Sequence, residues 1–149
     1  MSQHRAMIRW KRESPGFSYD TYNRAHTWTF DGGVEVAASS APDYRGDQDR
    51  VDPEEAYVAS LASCHMLTFL ALAASRHFVV DGYTDEAVGF MEKNANGKLA
   101  ITRVMLRPRV EFGGASRPSD EQLSKLHEQA HENCFLANSV LTSITVEPQ

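Results

Sequence analysis

Two cysteines in 149 residues are too few for a disulfide scaffold. Cys64 and Cys134 are therefore buried apolar side chains, reactive thiols or one redox pair. Basic residues are also short: 15 Lys and Arg stand against 20 Asp and Glu, a net charge of −5. Nucleic acid and anionic membranes both select a basic face, so neither is expected as the main partner. Behind Met1-Ser2-Gln3-His4-Arg5 comes no apolar run of the kind a secretory signal carries, and the expected location is cytoplasmic. Internal repeats and low-complexity tracts are missing too. What remains is globular in character, 42% hydrophobic and 23% charged. The length suits a single domain over residues 1–149, long enough to hide about two-thirds of its unfolded surface.

The apolar residues fall into a mixed pattern. Residues 5–12 read as a first strand, with Met7, Ile8 and Trp10 among basic residues. His26–Phe30 alternates aromatic and β-branched residues, and Asp31-Gly32-Gly33 turns it into Val34-Glu35-Val36, a hairpin signature. Ser39–Val51 has no period and reads as a long loop, a class often functional. Asp52-Pro53-Glu54-Glu55 opens a helix, with Asp52 as N-cap, Pro53 at the first helical position and two acids at the positive dipole end. From Ala56 to Ser75 there is no Asp, Glu, Lys or Arg. That matches a membrane span in length, but Ser60, Ser63, His65, Thr68 and Ser75 scatter polarity around it. A buried central helix running to Arg76 or His77 is the expectation. Being apolar nearly all round, it must be covered on every side, which one small chain does with difficulty; a homodimer sharing this core follows.

Glu86–Lys93 and Lys98–Phe112, joined by Asn94-Ala95-Asn96-Gly97, read as a second hairpin. Pro118–Glu121 starts a second helix, with Leu123, Leu126 and Ala130 on one stripe, ending near Cys134. Leu141–Val146 closes the chain as a strand. The sum is an α+β architecture.

Two constellations carry chemistry. His127-Glu128-Gln129-Ala130-His131 spells H-E-x-x-H, which on a helix puts two histidines on one face, with Cys134 a further turn on; a zinc hydrolase is one alternative. A polar amphipathic helix spells the same letters by chance, and no metal is expected. The second constellation is the thiol pair, whose reactivity needs a neighbouring cation or helix N-terminus.

The stretch Asp52-Pro53-Glu54-Glu55-Ala56-Tyr57-Val58-Ala59-Ser60-Leu61-Ala62-Ser63-Cys64 resembles the reactive-cysteine helix of the OsmC/Ohr superfamily, the osmotically induced and organic hydroperoxide resistance proteins. Cys134-Phe135-Leu136-Ala137-Asn138-Ser139 is similar to the family's second-cysteine segment, and Arg24 falls where the family places an arginine before its strand turn. The chain departs from the hydroperoxide-resistance branch at Tyr22-Asn23, His65 and Phe135, which points to an OsmC-like side branch. His65 reads as a packed or hydrogen-bonded residue.

The resemblance implies antiparallel sheets around a long central helix in an intertwined homodimer. It also implies a thiol peroxidase in which Cys64 attacks the peroxide, Cys134 resolves the sulfenic acid as a disulfide, Arg24 holds the thiolate and Glu54 orients Arg24. No cofactor is needed. Organic or lipid hydroperoxides would be substrates, favoured by apolar neighbours such as Met66 and Phe69, and the family's manner suggests a lipoyl-type dithiol as the reductant. Glu54 and Cys64 are about 15 Å apart along one helix, so Glu54 is expected to serve Arg24 and Cys64 of the other subunit. A non-catalytic dimer that binds an apolar ligand or senses redox state is the other alternative.

Overall fold

The computed structural model describes residues 1–149. The chain divides into two compact units, Met1–Ala56 and Tyr57–Gln149.

In the first unit, β1 (Ala6–Arg9), β2 (His26–Phe30) and β3 (Glu35–Ala38) form an antiparallel sheet in that order. The β2–β3 turn needs two consecutive positive φ angles, and Gly32 (+88°) and Gly33 (+82°) supply them. Strand β1 is shorter than the expected 5–12 because Asn23 takes over the backbone beyond Arg9. Its amide accepts from Glu13 N–H and donates to the Lys11 carbonyl, while Trp10 Nε1 donates to the Asn23 carbonyl. Within Ser39–Val51, Pro42–Tyr44 makes one turn of 3-10 helix and Val51 bridges in parallel to Ala38. The long loop is therefore tied at its base.

Helix α1 (Pro53–Ser75) crosses the boundary between the units. Asp52 caps it as expected: its carboxylate accepts from Glu55 N–H at 2.8 Å, and the Glu55 carboxylate accepts from Asp52 N–H at 3.2 Å. In the second unit its buried residues are Leu61, His65, Phe69 and Ala73, a strict four-residue stripe. Leu61 packs on Val104 and Leu106, whereas Phe69 and Ala73 pack on Leu126 and Ala130. Each large side chain hidden this way contributes about 1.5–3 kcal/mol. The helix ends in a left-handed residue, His77 (φ +62°), with Phe78 N–H bonded to the Ala73 carbonyl and His77 N–H to that of Ala74. By length and composition α1 also qualifies as a membrane span, but its polar His65 and its packed stripe are those of a core helix.

Around α1 in this unit lie β4 (Val79–Asp85), β5 (Val88–Lys93), β6 (Leu99–Leu106), β7 (Pro108–Gly113), α2 (Asp120–Asn133) and β8 (Ser143–Val146). β4 pairs with β7, and β6 lies between β5 and β8. One expectation is corrected, and two features stand outside what the sequence reading assigned. Strand β4 was not foreseen. The expected strand 98–112 breaks at Arg107, whose N–H is taken by the Asp85 carboxylate at 2.7 Å, and Pro108 then starts β7 against β4 rather than continuing along β5. Finally, β8 joins β6 in parallel, the one parallel strand pair among otherwise antiparallel sheets. The α+β class with antiparallel sheets and a long core helix stands.

Candidate active site

Ser119 starts α2 with a reciprocal cap: its hydroxyl accepts from Gln122 N–H and the Gln122 side chain accepts from Ser119 N–H. The helix then delivers Cys134 at its C-cap. Cys64 sits mid-way along α1 and is half-buried. The two free thiols meet: Cys134 Sγ–H donates to Cys64 Sγ at 2.8 Å. Cys134 is 2% exposed, and burial, together with the proton it gives to Cys64, pushes its pKa up. Its sulfur accepts a long contact, 3.5 Å, from Ala137 N–H and another backbone contact from Leu136, and both oppose that rise without reversing it. The pair is thus asymmetric. Cys134 is held as a thiol and gives its hydrogen bond to Cys64, the more accessible sulfur.

Arg24 and Glu54 belong to the first unit, and the chain does not join them. The Arg24 guanidinium, 9% exposed, donates to the Tyr22 and Tyr19 carbonyls at 2.5 Å each. It also lies 3.7 Å from the Tyr22 ring centroid. The ion pairs of the chain are Arg9–Glu35, Arg45–Asp20, Arg50–Asp47 and Arg103–Glu92, so this buried cation has no carboxylate counter-ion. It faces a cup of about 370 Å³ lined by Trp10, Phe17, Tyr22, His26 and Pro53. An aromatic wall with an always-charged guanidinium suits an apolar molecule carrying one polar, electron-rich end.

His65 and His127, which the sequence left in separate arguments, are partners. His65 Nε2 and His127 Nδ1 lie 3.1 Å apart, both rings buried. Both are held down to about 4, His127 by burial and His65 by burial first and then by the neighbouring imidazoles of His127 and His131. Both rings are therefore neutral at pH 7. Their meeting was readable in part: residues 61, 65, 69 and 73 share one stripe, as do 123, 126, 127 and 130. Which stripe meets which was not. The H-E-x-x-H segment accordingly turns His127 toward α1, and no group of three or more His, Cys, Asp or Glu side chains converges as metal ligands. Tyr83 Oη and Asp85 Oδ2 are further buried polar atoms without partners that the sequence did not flag.

The sequence model of the OsmC-like protein family matches residues 46–149. A solved structure of an OsmC-like protein of unknown function from Vibrio cholerae is 50% identical, with TM-score 0.97 and 100% of both chains covered. Two organic hydroperoxide resistance proteins share the fold. The one from Elizabethkingia anophelis is 18% identical, with TM-score 0.73 over 99% of this chain and 94% of that one. The Bacillus subtilis protein is 19% identical, with TM-score 0.71 over 99% and 98%. No functionally curated protein matches.

Proposed function

Because the chain belongs to the OsmC-like family, we propose that it is a cysteine-based peroxidase acting on organic hydroperoxides. The observation that carries this reading is the thiol pair, with buried Cys134 donating to half-buried Cys64 at 2.8 Å. The Cys64 thiolate attacks the O–O bond of ROOH. The terminal hydroxyl oxygen goes to sulfur as the sulfenic acid, and the O–O bond breaks to release RO⁻, which takes up a proton to become ROH. The Cys134 sulfur then displaces that hydroxyl as water, its thiol proton completing the balance, and a Cys64–Cys134 disulfide results. An external dithiol, of lipoyl type in the family's manner, restores both thiols while itself becoming a disulfide. No organic cofactor or metal enters the cycle.

Arg24 is assigned to hold the Cys64 thiolate and polarise the departing oxygen, and Glu54 to orient Arg24 across a homodimer interface. Two facts support the dimer. The Arg24 and Glu54 side chains are unpaired within one chain, and only 22% of the most apolar stretch of α1 is buried there, with Leu67 60% exposed. The protein then works as one OsmC-like domain in a cytoplasmic homodimer. Consumption of cumene hydroperoxide in the presence of dihydrolipoamide tests the reading. The wild type should turn over and Cys64→Ser should fall to the uncatalysed background. Equal rates for the two would refute it.

A further inference from the structure

Three polar links join the helix pair α1–α2: Cys134 to Cys64, Arg76 (just past α1) to Gln129, and His65 to His127. The last has no part in the thiol chemistry above. His65 and His127 are 1% and 3% exposed, and their ring planes are 4° apart. His127 also stacks on Phe69, centroid to centroid at 4.4 Å. Phe69 stands one helical turn beyond His65 on α1, so His127 sits against two residues a turn apart. That contact fixes both the height and the rotation of α2 on α1.

Stability alone does not account for the pair. Two neutral imidazoles share one hydrogen bond, and the outer nitrogens, His65 Nδ1 and His127 Nε2, are left buried without partners. Each such atom costs about 1–3 kcal/mol, whereas two apolar side chains of similar shape would hold the helices without that penalty. What the imidazoles add is a directional tie. It lies beside Cys64 on α1 and seven residues before Cys134, about 10 Å along the α2 axis. With the thiols and the Arg76–Gln129 contact, it is one of three ties that hold α2 on α1.

We propose that His65 and His127 form a positioning pair, a clasp between α1 and α2 that keeps the Cys134 sulfur within bonding reach of Cys64 and so favours the disulfide over the dithiol. The proposal rests on the reading of the two thiols as a redox pair. A disulfide needs its Cβ atoms within about 3.5–4.5 Å, and a small rotation of α2 would carry Cys134 out of that range.

The test is a thiol–disulfide equilibrium, which needs no peroxide. Reduced protein is equilibrated with oxidised and reduced glutathione, so that one oxidised glutathione plus two protein thiols gives the protein disulfide and two reduced glutathiones. Mass spectrometry reads the ratio. His65→Leu/His127→Leu is expected to lower the equilibrium constant about fivefold, the worth of one ordinary hydrogen bond. His127→Phe, which keeps the stack on Phe69 but loses the nitrogen, should do the same and serves if the double variant does not fold. His127→Asn, with an amide near the Nδ1 position, should stay within about twofold of wild type. A wild-type constant in a folded leucine or phenylalanine variant overturns the clasp, as does an asparagine variant that falls as far as they do. If the wild type forms no Cys64–Cys134 disulfide at any glutathione ratio, the redox-pair reading fails and the clasp with it. If wild type forms it and the variants match, the clasp alone fails.

Discussion

His65 and His127 are both held down to about 4 by burial, while in an unfolded chain each imidazole titrates near 6.5. Between those values the unfolded chain binds protons that the folded one refuses. Stability is therefore fully present above about pH 6.5 and is lost as pH falls toward 4. The expected loss for the pair is on the order of several kcal/mol, since one pKa unit is worth about 1.4 kcal/mol. Denaturant midpoints at about pH 7.5, 5.5 and 4.5 measure it, with His65→Leu/His127→Leu as the control that should flatten the profile. At this scale the two cysteines were legible from the sequence, because the Pro53-Glu54 start and the spacing to Cys64 are a strong signature. The imidazole pair was not, since it depends on how two helices dock and not on either helix alone. The same holds for Asp85, whose carboxylate ends a strand by taking the Arg107 N–H.

Among the elements, α1 was the most readable: its cap, its proline and its charge-free run all point one way, and its observed span is Pro53–Ser75. Strand β4 escaped because Asp81, Gly82, Thr84 and Asp85 break its apolar alternation, and its pairing with β7 shifts register between Val80 and Gly82. The break between β6 and β7 escaped because the alternation runs straight through Arg107, so only the change of partner strand marks it. Two substitutions probe the element ends and contacts. His77 ends α1 with φ +62°, a conformation that penalises any residue with a Cβ. His77→Gly is expected to add about 0.5–1 kcal/mol, a rise of about 1–4 °C in Tm by calorimetry. Gly89 of β5 lies against α1, and a Cβ there would come within 2.5 Å of Val58 Cγ2. Gly89→Ala should therefore lower stability by about 1–3 kcal/mol in denaturant titrations, as overpacking does.

For the whole molecule, the proposed homodimer would cover the open side of α1 and supply partners to Arg24 and Glu54, which are unpaired within one chain. Sedimentation at micromolar concentration should give a stable homodimer, with an interface above about 2,000 Å² in total. If Glu54 of one subunit serves Cys64 of the other, inactive Glu54→Ala and Cys64→Ser proteins should regain activity when their subunits exchange. Each mixed dimer would keep one Glu54 and one Cys64 on opposite chains. Activity that stays at the level of the separate mutants, with exchange confirmed, would place the whole site in one chain.

The central claim is that Cys64 and Cys134 act together on a peroxide, and counting thiols tests it most directly. Fully reduced protein is given one equivalent of cumene hydroperoxide per chain with no reductant present. Both free thiols should disappear together as one alcohol forms, with peptide mapping showing a Cys64–Cys134 disulfide, while Cys64→Ser keeps its remaining thiol. Both thiols still titratable in the wild type after that equivalent would contradict the account.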